Sequence, residues 1–213
     1  MSTKIGLISD THSTTEPLKE ALSLFEREQV DSIICAGDIA GYGKDKLPQT
    51  IDLLINSNCQ MISGNHDYCS QDYDYGNHKQ EIEDFFNNLP KTLELTIEGK
   101  RIYVAHAEPP DLQHGGIKLL DPEGNVLPDR KEKWTEKLKT LDCDILIVGH
   151  THQVFSEQLG EVFVINPGSS TFNHTCSILT LPEMKVDVFP LSNKEPILCW
   201  NWSMFNHVQH GKS

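Results

Sequence analysis

KIGLISDTHSTTEPLKEALSLFEREQVDSIICAGD, residues 4–38, is the stretch whose reading decides the fold. It opens on an apolar run, KIGLISD, and closes on a second, DSIICAGD. Between them Leu18, Leu22 and Phe25 recur at intervals of three and four, the spacing of one helix face, and Pro17 suits a first helical turn. The segment LPQTIDLLIN (47–56) repeats the helical character, and CQMISGN (59–65) supplies a third apolar run. The pattern is β-α-β-α-β, which predicts a parallel sheet. Each run stops at a glycine or a polar group, as expected of buried strands that deliver side chains at their C-terminal ends.

The second half changes pattern. TLELTIEG (92–99) and RIYVAHA (101–107) meet at Gly99-Lys100, which reads as a hairpin, and KEKWTEKLKTL (131–141) reads as another surface helix. DILIVGH (144–150), QVFSEQL, EVFVINPG (161–168), TCSILTLP and KVDVFPLS follow, the last four separated by short turns that predict antiparallel pairing. The expectation is one α/β domain over residues 1–213, with a core at about 4–192 and an aromatic tail at 193–213. It should hold two packed β-sheets flanked by helices, the first mostly parallel and the second mostly antiparallel.

Bulk properties narrow the function. A chain of 213 residues with 38% hydrophobic content can bury a sizeable core. A formal net charge of −13 disfavours broad nucleic-acid binding. The six cysteines form no CxxC pair, which points to reduced thiols and a cytoplasmic setting rather than a disulfide or zinc-ribbon scaffold. No apolar run reaches membrane-spanning length.

The strand ends carry the chemistry. The first ends in Asp10-Thr11-His12, the second in Gly37-Asp38 and the third in Gly64-Asn65-His66-Asp67. RIYVAHA brings His106, and DILIVGHTHQ brings His150 and His152. In open α/β sheets the strand C-termini converge on one edge, so these groups can meet across more than a hundred residues. Imidazole, carboxylate and amide oxygen without thiolate suit Mn, Fe, Zn or Co better than a sulfur-loving site or a calcium cage. Asp38, a lone carboxylate ending a buried strand, is a natural bridge between two ions.

The ordered set DTH, GD, GNHD, a strand-end His and GHTH resembles the calcineurin-like metallophosphoesterase superfamily, and GDIAGYG (37–43) and FVINPGSS (163–170) make it most similar to the small bacterial and archaeal phosphodiesterases within it. The resemblance implies a four-layer α/β/β/α sandwich and two divalent metal ions per chain, manganese first, with Fe, Zn, Ni or Co also compatible. It implies one ion on Asp10, His12, Asp38 and His152, and the other on Asp38, Asn65, His106 and His150. A hydroxide between them would attack phosphorus in line. His66 would assist the phosphoryl group or the leaving oxygen as a catalytic residue, with Asp67 orienting its ring. The implied substrate is a small phosphodiester, a nucleotide among the candidates. Alternatives on the same metal core are a phosphomonoesterase or a dinucleoside polyphosphate hydrolase. A non-catalytic scaffold of the same fold is a third reading, although such scaffolds usually lack ligand histidines, and here all are present. Homo-oligomerisation is left open. Two departures stand out: AEPPD follows His106 where the family commonly continues with glycine, and Tyr68 follows GNHD where protein-phosphatase relatives carry an arginine nearby.

Other residues read more plainly. Tyr42, in a GYG turn without a P-loop lysine, is placed at the site rim as a candidate substrate contact, together with His114. His78 and His174 read as loop histidines, Gly168-Ser169-Ser170 as a turn, and Cys35 and Cys176 as core. The loops at 68–80 and 108–128 are expected to wall the pocket. The tail aromatics Trp200, Trp202 and Phe205 either close over the core or form a subunit contact.

Overall fold

A computed structural model of the protein describes residues 2–69 and 75–201. Ten strands are assigned: β1 (Thr3–Ile8), β2 (Ser32–Cys35), β3 (Gln60–Met61), β4 (Thr92–Ile97), β5 (Lys100–Ala105), β6 (Ile145–Ile147), β7 (Val154–Leu159), β8 (Val162–Pro167), β9 (Thr175–Leu181) and β10 (Lys185–Pro190). The helices are α1 (Thr15–Arg27), α2 (Leu47–Asn56), α3 (Asn65–Cys69), α4 (Lys79–Asn88) and α5 (Pro128–Leu138). The first sheet runs β10-β9-β1-β2-β3 and the second β4-β5-β6-β8-β7.

The alternation of side chains builds the layers. On β1, Ile5 and Leu7 face the second sheet, where they join Ile34, Ile102, Val104, Ile145, Ile147 and Ile165 in the core between the sheets. Ile8, Cys35 and Cys176 point the other way, into a second core with Leu18, Phe25, Leu47, Leu54 and Phe86 from α1, α2 and α4. Leu146, Val148 and Val164 of the second sheet pack outward against Trp134 and Leu138 of α5 and the Ile117–Leu120 segment. The order of layers is therefore α/β/β/α, as the sequence led us to expect.

Two details differ from the sequence reading. Each sheet is mixed in equal parts: β1-β2 and β2-β3 are parallel and β1-β9 and β9-β10 antiparallel in the first, while β5-β6 and β6-β8 are parallel and β4-β5 and β7-β8 antiparallel in the second. In the second sheet the cause is β6, which lies parallel between β5 and β8, and in the first it is β9, which comes from the second half of the chain to pair with β1. Six of its seven residues are buried, so both faces and both edges need cover. The second difference lies after β3. That strand is only two residues long, and GNHDYC, read as a strand end and loop, begins the short helix α3, while α4 occupies part of the expected loop beyond it. The β4–β5 hairpin turns at Glu98-Gly99, both with positive φ.

Gly6 sets the distance between sheet and helix. A Cβ at this position would lie 2.8 Å from the buried ring of Phe25 on α1. Gly6→Ala should therefore lower stability by about 1–3 kcal/mol through overpacking, measured by urea denaturation. A neutral result would show that α1 moves outward without loss.

Candidate metal centre

Three loops at the C-terminal edge of the first sheet form the floor. The backbone leaves β1 and β2 side by side and keeps exchanging hydrogen bonds: Asp10 N–H donates to Gly37 O (3.0 Å), His12 N–H to Asp38 O (3.1 Å) and Ser13 N–H to Ile39 O (2.8 Å). To do this the chain enters the left-handed region at Asp10, His12 and Asp38, and it does so again at His150 and His152, with φ between 46° and 63°. Asp and His tolerate this region better than most side chains, but each such residue still stores strain of order 1 kcal/mol. Five of the seven sequence-predicted ligands are thus held in unfavourable backbone so that their side chains converge.

The neighbouring loops leave room and add braces. A Cβ on Gly64 would fall 2.2 Å from Asp38 Oδ1, and one on Gly37 would fall 2.7 Å from His106 Nδ1. Ser169 Oγ donates to Asp10 O (2.6 Å), and Thr171 Oγ1 donates to Thr11 O (2.7 Å). The segment read as a simple turn is therefore a strut beneath the DTH loop.

All seven predicted ligands meet. His12 Nε2 lies 3.2 Å from His152 Nε2, which lies 3.3 Å from Asp10 Oδ1. His106 Nε2 lies 3.3 Å from Asp38 Oδ1 and 3.1 Å from Asn65 Oδ1, and Asn65 Oδ1 lies 2.8 Å from His150 Nδ1. Metal bonds of about 2.1 Å place adjacent donors about 3.0 Å apart at right angles and about 3.4 Å apart at the tetrahedral angle. The observed spacings are edges of that kind. Donor atoms of Asp10, His12 and His152 form one cluster and those of Asp38, His106 and His150 another, while Asp38 also clusters with His12 and His66.

Tautomers are set from behind the site. His106 Nδ1 donates to Ala36 O (2.8 Å) and His12 Nδ1 to Ala40 O (3.3 Å), which aims both Nε2 atoms inward. A neutral His12 then presents its lone pair to His152 Nε2, an arrangement that calls for a proton or a cation between the two rings. The donor set fits divalent metal ions.

Electrostatics agrees. Burial opposes ionisation of Asp10, but His152, helped by His106 and His12, holds it well below the usual carboxylate range. Asp38 likewise is lowered despite burial, because His106 pairs with it. Burial would lower His106, yet Asp38 and Asp10 outweigh it and push its pKa up to about 10. Burial and the neighbouring imidazoles bring His12 and His150 down to about 4, so both are neutral near pH 7 and ready to ligate.

The remaining predicted residues divide. His66 is half-buried above the centre, its N–H donating to Asp38 Oδ1 (2.9 Å) and its ring 4.9 Å from that of His12. Asp67, expected to orient the His66 ring, also braces the backbone. Its fully buried carboxylate accepts the N–H groups of Ala40 and Gly64, both at 2.7 Å, and so ties the loops after β2 and β3 together. Burial first, then the Asp38 charge, pushes its pKa up to about 8. Tyr42 is exposed at the rim, 5.4 Å from the ring of His12 and 5.6 Å from that of His66. The His114 ring stands 6.3 Å from that of His150. His78 pairs with Glu81 on the surface, away from the cluster.

Sequence reading missed the aromatic wall. Phe172 stacks on His152 (5.2 Å) and on Trp200 (4.4 Å), and Trp200 also contacts His152. The tail is pinned there by Trp200 N–H to His152 O (3.0 Å) and Val154 N–H to Leu198 O (2.8 Å). Of the two readings left open for Trp200, closure over the molecule is therefore the one observed; Trp202 and Phe205 lie outside the described residues, as do residues 70–74 of the expected pocket loop. A pocket of about 480 Å³ opens on Asp38, Asn65, His66, His150, His152 and Trp200.

The model of the calcineurin-like phosphoesterase superfamily domain matches residues 3–183. The chain belongs to this superfamily. It is a metal-dependent phosphoesterase by that membership, and its divalent-metal requirement follows from the same finding. It is 32% identical over 196 residues to the uncharacterised protein MJ0912 of Methanocaldococcus jannaschii, covering 78% of this chain and 75% of that one. It is 25% identical over 167 residues to the phosphodiesterase MJ0936 of the same organism, covering 78% and 82%. Among solved structures, the hypothetical protein PH1004 of Pyrococcus horikoshii superposes with a TM-score of 0.73 at 16% identity, covering 97% of this chain and 92% of that one, which confirms the fold.

Metal and proton compete for His106. Because its metal-free pKa lies near 10, ion binding near neutral pH must expel a proton, and affinity should rise from about pH 6 to about pH 8. Calorimetric titration in buffers of different ionisation enthalpy should register that release. Binding without it would remove His106 from the ligand set.

Proposed function

We propose that the chain is a dinuclear phosphodiesterase that hydrolyses small phosphodiesters, with manganese as its working ion and a cytoplasmic setting. The observation that carries this reading is the pair of adjoining donor clusters with Asp38 between them. Two ions held there would lower the pKa of coordinated water and neutralise phosphoryl oxygens. The free thiols of Cys35, Cys59, Cys143, Cys176 and Cys199 are in keeping with the reducing compartment. The phosphodiesterase name carried by the relative MJ0936 supports the substrate class.

The chain's own groups have distinct work. Asp38 would serve both ions, Asp10, His12 and His152 one of them, and Asn65, His106 and His150 the other. His66, anchored through its backbone to Asp38, overhangs the cleft and would protonate the leaving oxygen. Asp67 is a positioning residue: by joining the Ala40 and Gly64 amides it fixes where Asp38 and His66 stand relative to one another. Phe172 and Trp200 keep water from the back of His152, and Tyr42 and His114 would meet the substrate at the rim.

His66 also belongs to one donor cluster, with His12 and Asp38, so its role needs a direct test. His66→Ala should retain two ions per chain by metal analysis while turnover of bis-p-nitrophenyl phosphate falls about 10²- to 10⁴-fold. Loss of an ion together with activity would make His66 a ligand. Asp38→Asn should abolish activity at every manganese concentration. Turnover in heavy-oxygen water should place one label in the product phosphate, and an unlabelled product would overturn direct displacement.

A further inference from the structure

We propose that Lys118 and Arg130 form a second anion subsite in the catalytic pocket, which selects substrates carrying a further phosphate besides the one attacked. The inference rests on the phosphodiesterase reading and deepens it to a substrate class, nucleoside polyphosphates and related phosphoanhydrides. Both residues line the pocket that also exposes Asp38, Asn65, His66, His150 and His152.

The chain carries 31 acidic and 18 basic side chains, and what sets Lys118 and Arg130 apart from its other cations is that both stand in the wall of the metal-facing pocket. Among the described residues, Lys118 makes no hydrogen bond or ion pair, and Arg130 makes no ion pair. Arg130 donates through Nη1 to Leu120 O (3.1 Å), which holds the guanidinium in place and leaves its other donors for a ligand. Asp121 lines the same wall, but its carboxylate accepts the backbone N–H of Asn125 (2.8 Å) and that residue's amide, and so closes its own turn.

The backbone that carries the two cations is also tied to the metal-facing loop. Gln153, the residue after His152, accepts the N–H groups of Leu119 (2.8 Å) and Leu120 (3.0 Å) with one oxygen. Thr151 Oγ1 donates to Ile117 O (3.1 Å). Lys118 thus sits on a segment stitched to the same five residues that supply His150 and His152, and Leu127 N–H to Leu119 O (2.9 Å) joins that segment to the start of α5, which carries Arg130. Two cations on a wall tied to the metal-facing loop suit a ligand that carries a further anionic group beyond the one at the donor cluster.

The test compares bis-p-nitrophenyl phosphate, which has one anionic group, with diadenosine tetraphosphate in the manganese-loaded protein. Lys118→Ala and Arg130→Ala should each lower kcat/KM for the tetraphosphate at least about tenfold more than for the monoanionic ester, the scale of one lost charge-assisted contact. A preserved ratio in both variants would overturn the subsite. Calorimetric binding of a hydrolysis-resistant, methylene-bridged analogue reads the same contact without turnover. Affinity weakened at least tenfold in the variants supports the subsite, and equal affinity, or no binding to the unsubstituted protein, overturns it. If the analogue discriminates but no phosphodiester is cleaved, the subsite stands and the phosphodiesterase reading fails. Lys118 is exposed, so its variant tests the idea without disturbing the fold.

Discussion

Asp10 and Asp38 are carboxylates almost wholly removed from water at the C-terminal edge of the sheets, and the structure around them is arranged to answer their charge. An isolated buried carboxylate would take up a proton. Here both are instead held in the ionised form by imidazoles, with His152 beside Asp10 and His106 beside Asp38. The His106 proton stands where a cation would stand, so the metal-free centre is already shaped as a cation site. The acidity of the pair and the affinity of the site for metal are one electrostatic fact.

Holding that arrangement requires rigid support, and the two sheets provide it. Strands β1, β2, β6 and β8 are buried at their C-terminal ends, so those ends cannot drift. The strain of left-handed backbone at five ligand positions is offset by hydrogen bonds that cross between loops, from Asp10 to Gly37, from Ser169 to Asp10 and from Ala40 and Gly64 to Asp67. Ligands placed this way are preorganised, which limits the reorganisation needed when ions or substrate bind.

The GHTHQ segment couples the metal centre to the substrate pocket. His150 and His152 face the centre, while Thr151 and Gln153 hold the Ile117–Leu120 segment. The backbone of His152 also anchors Trp200, and the Gln153 amide reaches Cys199 Sγ (3.3 Å). A change in the pocket wall or the tail is therefore transmitted to two ligands over a few bonds, and wall and ligands act as one unit.

The sequence by itself determined the layered α/β architecture and the set of polar strand-end residues from which the converging seven come, with resemblance to the superfamily separating those seven from His66 and Asp67. Both are written in short-range patterns: period-two and period-three-to-four hydrophobicity for the layers, and polar groups at strand ends for the site. Asp10, His12, Asp38, Asn65, His106, His150 and His152 were readable because each interrupts an apolar run at its C-terminal end. Only the tertiary structure decided that β9 crosses to the first sheet, that Asp67 clamps two backbone amides, and that Phe172, Trp200, Lys118 and Arg130 share the cleft. Those assignments depend on contacts between segments up to 178 residues apart, as with Thr3 and Leu181 across β1 and β9. A lysine in a loop or an aromatic in a tail carries no periodic signal of its own; what it does is set by which distant surface the packed sheets bring against it.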